Sequence, residues 1–168
     1  MINTKIYSQN DLRWKFKKVG YGPSTFGGLI KAFDWGVGCT VTALTSLLFT
    51  AGINKTPAEI NDALMGVGGF LNEGTPTNPR GSLLIWSAVQ KLFPQLVFGG
   101  RFYTYDDAKV KALLAEGFPV LVNVTWGGGH WVLALGDHMV MDPWDGVVKS
   151  FGQFQPIGYS VYTWQKTA

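Results

Sequence analysis

The chain has 168 residues, 46% of them hydrophobic and 15% charged, against roughly 25% charged residues in an average soluble chain. That balance excludes a disordered segment and lacks the dense positive charge of a nucleic-acid binder, so no nucleic-acid partner is expected. A single domain over 1–168, long enough to bury a core, is expected, and the net charge of +3 is a weak field that suits an anionic surface without requiring one.

Up to Trp35 the chain is aromatic and glycine-rich with little period, as expected of extended segments and loops. From Cys39 the spacing of Val41, Leu44, Leu47 and Leu48 predicts a buried helix over 39–51, ended by Gly52. Thr56-Pro57-Ala58-Glu59 combines an N-cap, a first-turn proline and a glutamate at N3, so a second helix starts at Pro57 and ends near Gly66. Residues 66–81 read as a loop that faces substrate, and Ser82 is expected to cap a third helix through Phe93, stopped by Pro94. Leu96–Tyr105 is aromatic and interrupted by Gly99-Gly100. Asp106 caps a helix through Glu116. Strands are then expected at Val120–Trp126, His130–Leu135, Met139–Asp142, Val147–Phe151 and Ile157–Trp164. Helices followed by an antiparallel sheet make an α+β organisation. No apolar h-region occurs in the first thirty residues and no stretch of eighteen lacks polar interruption, so neither a signal peptide nor a membrane span is expected; a monomer is.

Cys39 is the only cysteine, which excludes an intramolecular disulfide and a multi-thiolate zinc site. It follows Gly36-Val37-Gly38 and opens a helix, where unpaired backbone N–H groups and the dipole favour a thiolate. The alternative is a small buried hydrophobe. Of the two histidines, His130 follows Gly127-Gly128-Gly129 at the mouth of a strand, which leaves a general base or a strand-packing residue as its two readings. His138 lies in a turn and reads as solvated. Two histidines and one cysteine so spaced form no zinc set, and no cofactor is expected.

If Leu135-Gly136-Asp137 is the loop of a hairpin over 130–142, then 134 faces 138 and His130 faces Asp142 on one side of the sheet. Directly opposed residues have Cβ atoms about 4.5–5.5 Å apart, so the carboxylate can hold the imidazole in one tautomer. Asp142-Pro143 also reads as ordinary turn initiation, and Trp144 is placed to shield a His–Asp pair from water.

Four segments in order, Gln9-Asn10-Asp11-Leu12-Arg13-Trp14, Gly38-Cys39-Thr40, Gly129-His130-Trp131-Val132 and Asp142-Pro143-Trp144, resemble the papain-like cysteine peptidases, specifically the peptidase C39-like family of bacteriocin-processing relatives. The resemblance spans 7–145. It implies a papain-like fold, with the central helix starting at the cysteine and packed on a C-terminal antiparallel sheet. It implies a cysteine peptidase in which Cys39 is the nucleophile, His130 the base, Asp142 the orienting acid and Gln9 an oxyanion-hole donor. Read from the residues alone, Gln9 serves equally as a solvated loop glutamine. Thr40 stands where many relatives carry glycine. No ATP-binding or membrane segment accompanies the motifs, so peptide or cell-wall-peptide hydrolysis of the phage-lysin kind is expected rather than export-coupled leader removal. A catalytically silent papain-like binding or structural module and a peptidyl transferase are the competing classes.

Overall fold

The computed structural model describes residues 1–28, 36–72, 81–126 and 129–166. Helix α1, Cys39–Thr50, begins at the cysteine, with Gly38 as N-cap. Its residues Val41 to Leu48 are all buried, the mark of a helix surrounded by protein rather than one with a wet face. Gly52 follows with φ +89°, the left-handed conformation that ends helices and that glycine adopts without a Cβ penalty. Helix α2, Pro57–Gly66, carries the full capping box between Thr56 and Glu59. Both helices start where the local signals place them.

The third helix does not. The expected span from Ser82 shrinks to α3, Ala88–Leu92, because residues 83–85 are drawn into extended pairing with 69–71. Leu71 N donates to the Leu83 carbonyl at 2.8 Å and Ile85 N to that of Gly69 at 2.8 Å, with Leu84 buried against the core. A tertiary partner for the backbone overrides helix propensity there. Of the loop expected over 66–81, Gly66 closes α2, 67–72 and Gly81 are described, and 73–80 lie outside the described residues.

Strand β1 is Leu96–Phe102 and α4 is Asp107–Ala115, capped by the Asp106 side chain on Lys109 N. The remaining strands are β2 Val120–Val124, β3 His130–Gly136, β4 Met139–Asp142, β5 Val147–Ser150 and β6 Pro156–Trp164. They form one six-stranded sheet in the order β1-β6-β2-β3-β4-β5, antiparallel at every pairing. The molecule is therefore α+β, as expected from the order of periods.

Alternate residues of the central strands serve two cores. Leu121, Leu133, Leu135, Met141 and Tyr162 pack with Leu44, Leu47 and Leu48 of α1. Val120, Val122, Val132, Ala134, Val140 and Val161 pack with Val110 of α4. A sheet covered on both sides explains why its strands read as near-continuous apolar runs. The amino-terminal segment closes over α1: Tyr7, Trp14, Val19 and Phe26 are buried in the α1 core. Buried Asn61 of α2 pins that segment by accepting from Gly20 N at 2.8 Å and donating to the Lys18 carbonyl.

Candidate active site

Cys39 occupies the first helical position of α1 and is half-buried. Its entry is set by Gly38, where a Cβ would fall 2.5 Å from Phe26 Cδ1 and 2.8 Å from the Phe26 carbonyl oxygen. Only glycine lets the chain pass that close to Phe26, which seats the cysteine at the start of the helix. Trp35, the first residue of this glycine–cysteine segment, lies outside the described residues.

The hairpin that carries the histidine and the carboxylate differs from the expected one. Asp137 and His138 both adopt left-handed conformations, φ 53° and 57°, so these two residues make the turn, and a bulge intervenes between Ala134 and Gly136. Leu133 then pairs with Met141 and Ala134 with Val140, which carries Val132, not His130, opposite Asp142. The displacement is two residues, and because side chains alternate with period two, His130 and Asp142 remain on one face as diagonal neighbours. His130 Nε2 lies 2.7 Å from Asp142 Oδ1, with both residues buried.

With Nε2 engaged by Asp142, Nδ1 is the nitrogen left for the thiol. The His130 imidazole and the Trp131 backbone N–H both act to lower the Cys39 thiol, and the sulfur in turn raises the imidazole. Burial pushes the Cys39 thiol up, but the His130 hydrogen bond and charge, helped by the Trp131 N–H and the Thr40 hydroxyl at 3.9 Å, bring it below its ordinary value. Burial alone would lower His130; the Asp142 carboxylate and the Cys39 sulfur reverse that and raise it to about 9. Opposed shifts of this kind favour a thiolate–imidazolium pair.

Asp142 is held by more than the histidine. Its Oδ1 also accepts from Trp144 N at 3.0 Å, and Oδ2 accepts from Lys149 Nζ at 2.7 Å. Against burial, which raises it, these donors hold the carboxyl down at about 2. Lys149 bonds Asp145 as well, at 2.8 Å. Sequence reasoning missed Lys149. The four-residue turn 143–146, ended by Gly146 at φ 68°, pairs Asp142 with Val147 and so puts Lys149 diagonally beside the carboxylate. Spacing within that turn was the available signal.

Gln9 is not a solvated loop residue: it is buried. Its Nε2 donates to the Phe26 carbonyl at 2.7 Å, the same oxygen that accepts Gly38 N at 3.0 Å. The carboxamide therefore stands beside the backbone that leads into Cys39, with a second N–H on Nε2 to offer. Its segment is docked on the carboxylate turn: Gln9 N donates to the Pro143 carbonyl at 2.7 Å, and Ser8 Oγ and Asn10 Nδ2 donate to that of Trp144. Trp14 Nε1 closes the strap on the Ser8 carbonyl. Four separated segments thus meet.

Shielding of the imidazole falls to a different tryptophan from the one expected. Trp126 stands edge-on to His130, ring centres 4.7 Å apart, and Trp144 packs on Trp126 at 5.8 Å. Both indoles are partly exposed. Strand β2 ends at Val124, short of the expected Trp126, which frees that residue for this contact. Gly127 and Gly128 lie outside the described residues. His138 is exposed in its turn and packs on Phe151, apart from the other four residues. Among the described residues no group of three His, Cys, Asp or Glu side chains is placed to hold a metal, and no helix is long and apolar enough to cross a membrane.

No family model, curated protein or solved structure matches this chain.

Proposed function

We propose that this protein is a papain-like cysteine peptidase that hydrolyses peptide amide bonds, with the peptides of bacterial cell walls as its substrates in the manner of a phage-type lysin. The observation that carries the reading is the convergence of Cys39, His130, Asp142 and Gln9 from four distant segments, with a hydrogen bond joining imidazole to carboxylate and the imidazole lowering the thiol. The mild net charge of +3 suits an anionic substrate surface, and the partly exposed Trp126 indole beside the imidazole, with Trp144 packed on it, offers apolar contact to an extended substrate.

The chemistry follows from the geometry. The Cys39 thiolate attacks the scissile carbonyl carbon, and the carbonyl electron pair moves to oxygen. Two donors are available to that oxyanion: the Cys39 N–H, which at the first helical position has no partner within its helix, and the free N–H of Gln9 Nε2. Each is worth about 3–4 kcal/mol in sites of this type. His130 Nδ1–H gives its proton to the departing amine, leaving a thioester. Water, deprotonated by His130, then adds to the thioester and expels the thiolate, which releases the acid. Asp142 keeps the imidazole oriented and stabilises its charged form.

The test is the rate of Cys39 alkylation by iodoacetamide against pH, read by intact mass, in wild type and in His130→Ala. The wild type reacts with an apparent pKa well below the free-thiol value of about 8.5, and the variant moves upward because only burial remains to shift it. Equal profiles at the free-thiol value would overturn the proposal and leave a silent binding module. Product analysis with added amines separates hydrolysis from acyl transfer: a ligated product would replace peptidase by transferase.

A further inference from the structure

The first residue past the histidine, Trp131, connects the nucleophile to a guanidinium that pairs with no carboxylate among the described residues. Its backbone N–H is one of the groups that lower the Cys39 thiol. Its ring centre lies 4.7 Å from the guanidinium carbon of Arg101, which on its other contact lies 4.1 Å from the ring centre of Tyr103. Arg101 belongs to β1, with two strands, β6 and β2, between it and β3 in the sheet. The reach is possible because the row between them is nearly empty. Asn123 pairs with both Trp131 and Gly158, and at Gly158 a Cβ would sit 2.7 Å from Arg101 Nη1 and 2.5 Å from the Phe102 carbonyl oxygen. Any side chain at 158 would displace the guanidinium.

Arg101 is half-buried, and its burial disfavours the charge. Among the described residues its one hydrogen bond runs from Nη1 to the Phe102 carbonyl, and no carboxylate pairs with it. The Asn123 carboxamide, half-buried in the same row, makes no hydrogen bond among the described residues. Rings against a guanidinium face leave its in-plane N–H donors open, and that planar fork matches a carboxylate. A partly desolvated cation without a counter-ion is unfavourable until an anion arrives. The side of the scissile bond follows from alternation: the leaving amine must sit by the His130 imidazole, and Trp131 projects to the other side of the strand, so the acyl portion runs along Trp131.

We propose that Arg101, with Asn123 beside it, forms a carboxylate subsite for the acyl side of the substrate, so that the preferred substrates are acidic peptides. This rests on the peptidase reading. The probes are peptidyl chloromethyl ketones, in which the thiolate displaces chloride. Glutamate or its isostere glutamine is placed at each of the first three positions before the reactive group. Inactivation rates are measured in wild type, Arg101→Gln and Arg101→Lys, each divided by that protein's own iodoacetamide rate, with circular dichroism to verify folding.

At one position the glutamate reagent reacts about tenfold faster than the glutamine reagent with wild type, in line with a charge-assisted pair. The advantage falls to near unity in Arg101→Gln and is partly kept in Arg101→Lys. A glutamate-to-glutamine ratio that is the same in wild type and Arg101→Gln at all three positions, with the thiol pKa still depressed, would overturn the subsite and leave the peptidase reading standing. A folded wild type whose thiol titrates at the ordinary value would overturn both.

Discussion

Three side chains around the imidazole set how this site responds to pH. Because Cys39 is lowered and His130 raised to about 9, the thiolate–imidazolium form spans the interval between them. Turnover is expected to rise on the acid limb as Cys39 loses its proton and to fall through about pH 9 as His130 loses its own. Lys149 tunes the upper limb. Its ammonium shares the charge of Asp142, so Lys149→Met leaves the carboxylate field to act on the imidazole alone. The alkaline limb of kcat/KM then moves upward, while Lys149→Arg keeps the wild-type profile. A loss of melting temperature with an unmoved limb would make Lys149 merely structural. In the proposed mechanism Gln9 is an oxyanion donor, so its replacement by Ala is expected to lower kcat by about 10²–10³ with KM little changed; a change confined to KM would remove Gln9 from that role.

Between elements, the two helix starts differ in what they are for. The capping box at Thr56 is local, and Thr56→Ala should cost about 1 kcal/mol of stability, read by urea denaturation, with activity intact. Gly38→Ala meets Phe26 at 2.5 Å and below 3 Å from its backbone, and Phe26 also anchors Gln9. That substitution should lower stability more than the cap does and slow Cys39 alkylation at pH 7 to near the free-thiol rate. Wild-type alkylation kinetics in Gly38→Ala would show that the close approach does not position the nucleophile. The five-residue α3 makes the same point from the other side. Ser82 reads locally as a cap, but pairing of 83–85 with 69–71 satisfies the backbone better than another turn of helix.

Across the whole molecule, the buried pair couples the site to stability. Asp142 sits at about 2 when folded, below its ordinary 3.8, so its contribution is complete above about pH 4 and is lost as pH falls through about 2. His130 is raised from 6.5 to about 9, so its contribution is complete below about 6.5 and is lost as pH rises through 9. On the alkaline side that loss is opposed by Cys39, whose lowered value adds stability as pH rises toward 9, so the unfolding free energies from urea titrations at stepped pH should show the site most clearly as a fall below about pH 4. Asp142→Asn should flatten the loss between pH 4 and 2. An unchanged acid slope in that variant would mean that other carboxylates control acid unfolding.

Local chemistry determined much of this protein from sequence alone. Glycine after Thr50 and the Thr56–Glu59 box bound α1 and α2, Asp106 starts α4, and the apolar runs become strands, because each signal acts within one turn or one pleat. Parity was legible too: a period of two kept His130 and Asp142 on one face even though the hairpin register differs by two residues from the expected one. Other features required the tertiary structure, since they depend on chain segments meeting across distances that no local spacing encodes. The left-handed pair Asp137–His138 set the register, docking on the Pro143–Trp144 turn buried Gln9 beside Gly38, and the β4–β5 hairpin delivered Lys149. The empty place at Gly158 let Arg101 reach Trp131, because sheet order, which only long-range closure decides, made those strands neighbours of a common row.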